Sequence, residues 1–364
     1  MPLSSDSSQW LRERYRQEYE TSILIGDGCL GAGLRAALSG TRAVWIVADT
    51  DVWPGLETAV TGSAADSIAG VLRLRGGEAA KSLETWRAIL EWLAAEGAAR
   101  RDIVVAVGGG TISDVVGYAA SAYLRGVPYV NVPTTLLAQA DGAIGGKVAI
   151  NLPGAKNAIG GFHHPTHVVC DVSTLATLPV SYLREGFAEI VKVAVAEAGG
   201  ELFEHLERGI GGADTYSAAE LAAIVRHSVQ IKLDLLRDDP FEKNLRRILN
   251  FGHTVAHSLE SATGYVAASH GSAVAIGLAT ACRYGVAAGL TPTSLSERIH
   301  CLLDRFGLPT SVEPEACDDV IKFLDGIRRA RGGNLLYVVP RGIGDFIILD
   351  NVDLARLSES LVRP

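Results

Sequence analysis

Residues 103–124 read IVVAVGGGTISDVVGYAASAYL. The unbroken run of β-branched and apolar residues at 103–107 suits a strand buried on both faces, as in a parallel sheet. Gly108, Gly109, Gly110 and Thr111 then lead into a helical pattern over 112–124. Glycines let a backbone approach a phosphate closely, and the free N–H groups at a helix start favour an anion. The spacing is not GxGxxG, so the ordinary dinucleotide fingerprint is absent, and a plain strand–helix turn is the competing reading.

Outward from this stretch the pattern repeats. Residues 21–26 (TSILIG), 43–48 (AVWIVA) and 127–132 read as strands, and 83–95 has helical spacing through Leu83, Trp86, Leu90 and Leu93. Such alternation predicts an α/β domain of the dinucleotide-binding type. The strand ends are polar. Asp49-Thr50-Asp51, Gly77-Glu78 with Lys81, and Pro133-Thr134-Thr135 offer further nucleotide contacts, against a default of solvated loops. Past Leu178-Pro179 the strand signal fades, and 184–196, 218–236, 249–263 and 272–288 read as helices. The expected organisation is an α/β domain over 1–178 and a mainly α-helical domain over 179–364, with the first fifteen or so residues frayed or forming an extra helix.

The chain has 364 residues, 48% hydrophobic and 20% charged, enough for two cores. A net charge of −8 argues against nucleic acid or an anionic membrane as partner. The five cysteines form no CxxC pair and are odd in number, so a reduced, cytoplasmic protein is expected. The polar start lacks a signal-peptide core, and no apolar run would span a bilayer.

Chemistry-bearing side chains concentrate after residue 140. HTVAH places His253 and His257 four apart on one helix face, but Thr254 stands where a zinc protease needs Glu. His270 follows in SHGSA, and Glu189 sits in the apolar run FAEIVK, where a carboxylate needs a partner. A carboxylate with two imidazoles suits Zn2+ with an open coordination position. Arg125, Lys147, Lys156, Lys192, Lys232 and Arg246 are cations in apolar or glycine-rich surroundings. GGKVAIN and GAKNAIGG put Lys147, Lys156 and Asn157 in loops where a ligand can come close.

Taken together, GGGTISD, LRGVPYVNVPTTLLAQADGAIGGKVAIN, GAKNAIGGF, LREGFAEIVK and LNFGHTVAHSLE resemble 3-dehydroquinate synthase and its sugar-phosphate cyclase relatives, over nearly the whole chain. The resemblance implies an α/β N-terminal NAD-binding domain, a mainly α-helical C-terminal metal-binding domain, and a homodimer. It implies a reaction on a phosphorylated seven-carbon sugar: transient oxidation by bound NAD, loss of phosphate, reduction, ring opening and an aldol closure. The implied ligands of the divalent metal, Zn or Co, are Glu189, His253 and His270. Lys147, Asn157, Asn250 and His257 match substrate-phosphate and proton-relay positions. Lys192 matches a hydroxyl contact, and Arg125 an arginine supplied across the dimer. Glu78 and Lys81 match nucleotide contacts, and Asp114, Asp141 and Lys156 match the NAD side and the junction.

The same resemblance bears on the substrate. Dehydroquinate synthases hold a carboxylate with a Lys and an Arg, matched by Lys232 and Arg246. Valiolone-type cyclases use sedoheptulose 7-phosphate, which has no carboxylate; they lack this Lys/Arg pair and also differ at the Asn250 and His257 positions. An uncompensated Lys/Arg pair would be costly against a neutral substrate, so a 3-deoxy-heptulosonate 7-phosphate is the expected substrate. Other cyclases of the group and a metal-dependent polyol dehydrogenase are the alternatives. Two departures from the dehydroquinate synthase pattern stand out: Ser272 follows His270-Gly271 where Glu is usual, and Arg328-Arg329 replace a lysine pair.

Overall fold

The computed structural model describes residues 18–363, apart from 65–66, 154, 245–246, 264–268 and 331–332. The expectation for the first fifteen residues therefore lies outside the described residues, as does Arg246. The first half runs β1 (Ser22–Gly26), α1 (Leu30–Ala37), β2 (Val44–Asp49), α2 (Trp53–Thr61), β3 (Ile68–Leu74), α3 (Leu83–Ala95), β4 (Ile103–Gly108), α4 (Gly110–Ala122), β5 (Tyr129–Pro133), β6 (Lys147–Leu152), β7 (Ala155–Phe162) and β8 (His167–Asp171). Then follow α5 (Val180–Ala196), α6 (Glu201–Arg208), α7 (Ala218–Leu236), α8 (His253–Ala262), α9 (His270–Ala287), α10 (Thr293–Arg305), α11 (Pro314–Ala330), β9 (Tyr337–Gly342), β10 (Asp345–Leu349) and α12 (Leu354–Leu361).

Six parallel strands form the main sheet in the order β1-β8-β5-β4-β2-β3. β4 pairs on both sides, which accounts for its unbroken apolar sequence. Alternate residues serve opposite faces. Trp45, Val47, Val104 and Ala106 pack with Ile112 of α4 and Ile89 of α3, while Ile46, Ala48, Val105 and Val107 pack with Leu30 and Leu34 of α1. Each such side chain contributes about 2 kcal/mol by leaving water. After β3 the chain returns to the other side of β2 to form β4, so the strand order reverses between β2 and β4. Ligands of open α/β sheets bind beyond the carboxyl ends of the strands at such a point.

The helical half has its own large core, joined to the sheet through Val168 and Cys170 of β8. Among the described residues, no helix is long and apolar enough to cross a membrane. All five cysteines are free.

Two local expectations change. The segments around Lys147 and Lys156 are not loops; they pair as the antiparallel hairpin β6–β7. The period-two burial of Val148 and Ile150 against α4 is the reason. The helix expected from 249 begins only at His253, because Gly252 takes φ 80° and a single 3-10 turn, Ile248–Asn250, precedes it.

Candidate active site and metal centre

Three helices converge on one point. Glu189 lies within α5 and is 1% exposed, while His253 and His270 are the first residues of α8 and α9. Two glycines allow the approach. A Cβ on Gly271 would stand 2.5 Å from the backbone of Glu185 on α5, and one on Gly277 would stand 2.0 Å from the carbonyl oxygen of Gly252. His253 Nε2 is 3.4 Å and His270 Nε2 3.2 Å from Glu189 Oε1. Four ligand atoms around a Zn2+ at about 2.0–2.1 Å are spaced by roughly 3.3 Å, so this donor set fits a tetrahedral cation. The outer nitrogens are tied back: His253 Nδ1 to Phe251 O at 3.2 Å and His270 Nδ1 to Glu260 Oε1 at 3.0 Å. This leaves both Nε2 atoms for the cation. Burial opposes charge on Glu189, but Lys192 and His253 outweigh it and hold its pKa well below the usual range.

Around this centre lysines and carboxylates alternate. Lys192 Nζ lies 2.5 Å from Glu189 Oε2 and 3.6 Å from Asp141 Oδ2. Asp141 sits in a short π-helical turn, Ala138–Gly142. Its other oxygen lies 2.5 Å from Lys232 Nζ, which also donates to the carbonyls of Asp141 at 2.7 Å and Ile144 at 2.8 Å. Lys232 is 3% exposed. Asp141 is thus its counter-charge inside the protein, shared with Lys192.

Lys147 pairs with Glu242 at 2.9 Å, and Arg247 also binds Glu242. Lys81 donates to Asp114 at 2.6 Å and to Asn157. Lys156 donates to Glu260 at 2.6 Å. Glu78 accepts from Asn151 at 2.7 Å. His257 turns an accessible ring toward His253, 5.4 Å between centroids. Partial loss of hydration on the side facing the site, then the neighbouring His253, lowers its pKa and keeps it neutral at pH 7. Asn250 is half-buried in the 3-10 turn before Gly252.

The nucleotide-side residues gather at the strand ends. Gly109 caps α4, and Gly110 and Thr111 form its first turn. Asp49 accepts from Gly76 N at 3.2 Å, and a Cβ on Gly108 would stand 3.2 Å from Asp49 Cβ. These groups thus lie side by side at the reversal of strand order, with room that only glycine leaves. Thr134 is buried, and Thr135 Oγ1 accepts from Ala138 N at 3.2 Å. A cavity of about 360 Å3 opens beside Thr134 at the ends of β5 and β8, lined also by Gly28, Gly31, Val52, Thr174 and Thr177.

Not every candidate joins the cluster. Arg125 is exposed on the turn after α4, at φ 65°. Arg328 and Arg329 both pair with Asp325 on their own helix. Ser272 Oγ accepts a hydrogen bond from Ser269 Oγ at 2.9 Å at the start of α9. Sequence reasoning missed Glu260 and Glu242. Glu260 carried a usable signal, an acidic residue on the apolar face of Val255, Ala256 and Leu259.

The 3-dehydroquinate synthase N-terminal family matches residues 71–185, and the 3-dehydroquinate synthase C-terminal family matches 186–328. A 2-epi-valiolone synthase of Actinosynnema mirum is 41% identical over 91% of this chain and 87% of its own. A 3-dehydroquinate synthase of Caulobacter vibrioides is 37% identical over 94% and 95%. A 2-epi-5-epi-valiolone synthase of Streptomyces hygroscopicus, solved with NAD+ and Zn2+ bound, superimposes with a TM-score of 0.84 at 30% identity, over 96% and 98%.

Proposed function

This chain belongs to the 3-dehydroquinate synthase family and is a sugar-phosphate cyclase, and from that premise we propose that it is a carbon–oxygen lyase that cyclises a seven-carbon ketose 7-phosphate with loss of phosphate. The observation that supports this most is the Glu189–His253–His270 donor set sharing one buried network with Lys192, Asp141 and Lys232. A dehydrogenase needs the metal and nucleotide but not this surplus of lysines.

When bound, a divalent cation and NAD supply Lewis-acid polarisation and a hydride acceptor. Glu189, His253 and His270 hold the cation, and the groups from Asp49 to Lys156 at the strand ends hold the nucleotide. Lys192 orients the hydroxyl that is oxidised. His257, neutral at pH 7, accepts a proton, while Asn157, Asn250 and Lys147 orient the phosphate end. Arg125, exposed on its turn, is offered to the neighbouring subunit of a homodimer. Two domains meeting near Pro179 and a reducing, cytoplasmic setting complete the reading.

For the substrate we favour sedoheptulose 7-phosphate, because the 41% identical relative and the solved structure at TM-score 0.84 are both valiolone synthases, whose sugar carries no carboxylate, and Lys232 has a counter-charge in Asp141. A 3-deoxy-heptulosonate 7-phosphate is the second reading, favoured by Asn250 and His257, which valiolone-type cyclases replace. Both sugars are tested with the purified enzyme by phosphate release, product NMR and NADH absorbance. Phosphate release from sedoheptulose 7-phosphate without net NADH is expected. Turnover of the carboxylate sugar alone reverses the order of the readings, and NADH accumulation with a simple polyol overturns the cyclase.

A further inference from the structure

Glu260 is 2% exposed on the buried side of α8, beside Val255, Ala256, Ser258 and Leu259, and nothing in the proposed reaction uses it. A buried carboxylate is costly unless its charge is matched. Here one oxygen, Oε1, meets two donors: His270 Nδ1 at 3.0 Å and Lys156 Nζ at 2.6 Å. Oε2 is buried without a hydrogen-bond partner. Lys156 comes from β7, on the sheet side, and its Nζ lies 3.9 Å from Glu78 Oε1. A continuous line of side chains therefore runs Glu78, Lys156, Glu260, His270, Glu189, from the nucleotide face to the metal centre.

We infer that Glu260 is a positioning residue that fixes His270 with Nε2 toward Glu189, and that Lys156 couples this metal ligand to the nucleotide-binding face. The inference rests on the reading of Glu189, His253 and His270 as a metal site. Its physical basis is twofold. A carboxylate on Nδ1–H sets the ring orientation and raises the donor strength of Nε2, and losing such a partner typically weakens metal binding by about 10–100-fold. Lys156 shares the same carboxylate oxygen, so it alters how much of the charge on Glu260 is left for His270. A group that draws on Lys156 then changes metal affinity, and by reciprocity the metal changes the affinity for that group.

The experiment is a double-mutant cycle read by Zn2+ affinity. Metal-free wild type, Glu260→Gln, Lys156→Met and the double variant are titrated against a chromophoric chelator, with thermal unfolding as the folding control. Glu260→Gln keeps the shape of the side chain, and Glu260→Ala serves as a second variant. Glu260→Gln is expected to weaken Zn2+ binding about 10–100-fold and to shift the visible bands of the Co2+-loaded protein. Lys156→Met is expected to change the affinity in the wild-type background and to have no effect once Glu260 is Gln. Unchanged affinity in both Glu260 variants overturns the positioning role. A Lys156→Met effect that persists beside Glu260→Gln, or one absent from both backgrounds, overturns the coupling. Glu189→Ala separates the two layers. If it loses Zn2+ while Glu260→Gln does not, only this inference fails; if it binds as tightly as wild type, the metal-site reading fails with it.

Discussion

Glu189 shows how much one side chain carries. Its carboxylate is the common neighbour of His253, His270 and Lys192, and burial leaves no water to replace them. Glu189→Gln keeps the volume but removes the charge. Zn2+ content and phosphate release should each fall by more than about 100-fold, beyond the range typical of an outer-shell partner; a variant that retains both would remove Glu189 from the centre. Asp102 plays the corresponding structural part at the start of β4. It accepts from Arg42 Nη2 at 2.9 Å, Trp45 Nε1 at 3.1 Å and Ala99 N at 2.8 Å. Burial pushes its pKa up, but these donors win and hold it below the usual aspartate value. A depressed folded-state pKa adds stability that is present above the unfolded value near 3.9 and is lost as pH falls through the folded value. Asp102→Asn should therefore cost about 2 kcal/mol at pH 7, and the gap from wild type should narrow in denaturant melts below about pH 4. A gap that stays constant with pH would assign the effect to packing. Glu189 stood out in the sequence as a charge in an apolar run, whereas His270 in place of His257 entered the proposed ligand set only through the family resemblance. Glu242 did not stand out, because its value lies in Lys147 and Arg247, which only the folded chain brings to it.

At the scale of elements, the packing of α8 on α9 depends on Gly277 lying against the Gly252 carbonyl. Gly277→Ala inserts a methyl where 2.0 Å is available, and neither backbone can yield without moving His253. Overpacking of this kind costs about 1–3 kcal/mol. The prediction is a lower melting temperature together with weaker Zn2+ binding; a loss of stability with unchanged metal affinity would show that the helix pair moves as one body. Two capped helices were read to the residue. α3 starts at a Ser82 side chain that accepts from Thr85 N, and α7 starts in a full capping box of Ser217 and Glu220. The β6–β7 hairpin escaped because its glycines mimic a loop; Gly160 is there because a Cβ would stand 2.2 Å from the Val148 carbonyl. The start of α8 was misjudged because a single left-handed residue, Gly252, ends the preceding turn, and helical spacing alone does not reveal it.

At the scale of the whole molecule, the β6–β7 hairpin is held to the helical half by two ion pairs, Lys147–Glu242 and Lys156–Glu260. Lys192 and Lys232 of the helical half likewise meet Asp141 of the sheet half. The junction is thus rich in cations, each paired with an internal carboxylate, and the chain as a whole carries −8. A dianionic phosphate group must displace an internal carboxylate to gain a lysine. Glu242 is the carboxylate best placed to give way. It holds φ 47° on a loop, is itself 9% exposed, and its partner Lys147 remains 54% exposed to solvent. Glu242→Gln should free Lys147 and Arg247 and tighten inorganic phosphate binding. Because Lys147 is half-exposed and screened, the gain should be modest, about threefold to fivefold, equivalent to ~1 kcal/mol or less. Calorimetric titration at two salt concentrations measures it, and the gain should shrink at the higher one. Phosphate binding that is unchanged or weaker in Glu242→Gln would mean that Glu242 supports the phosphate site by shaping its loop, and that the competing charge lies elsewhere in the cleft.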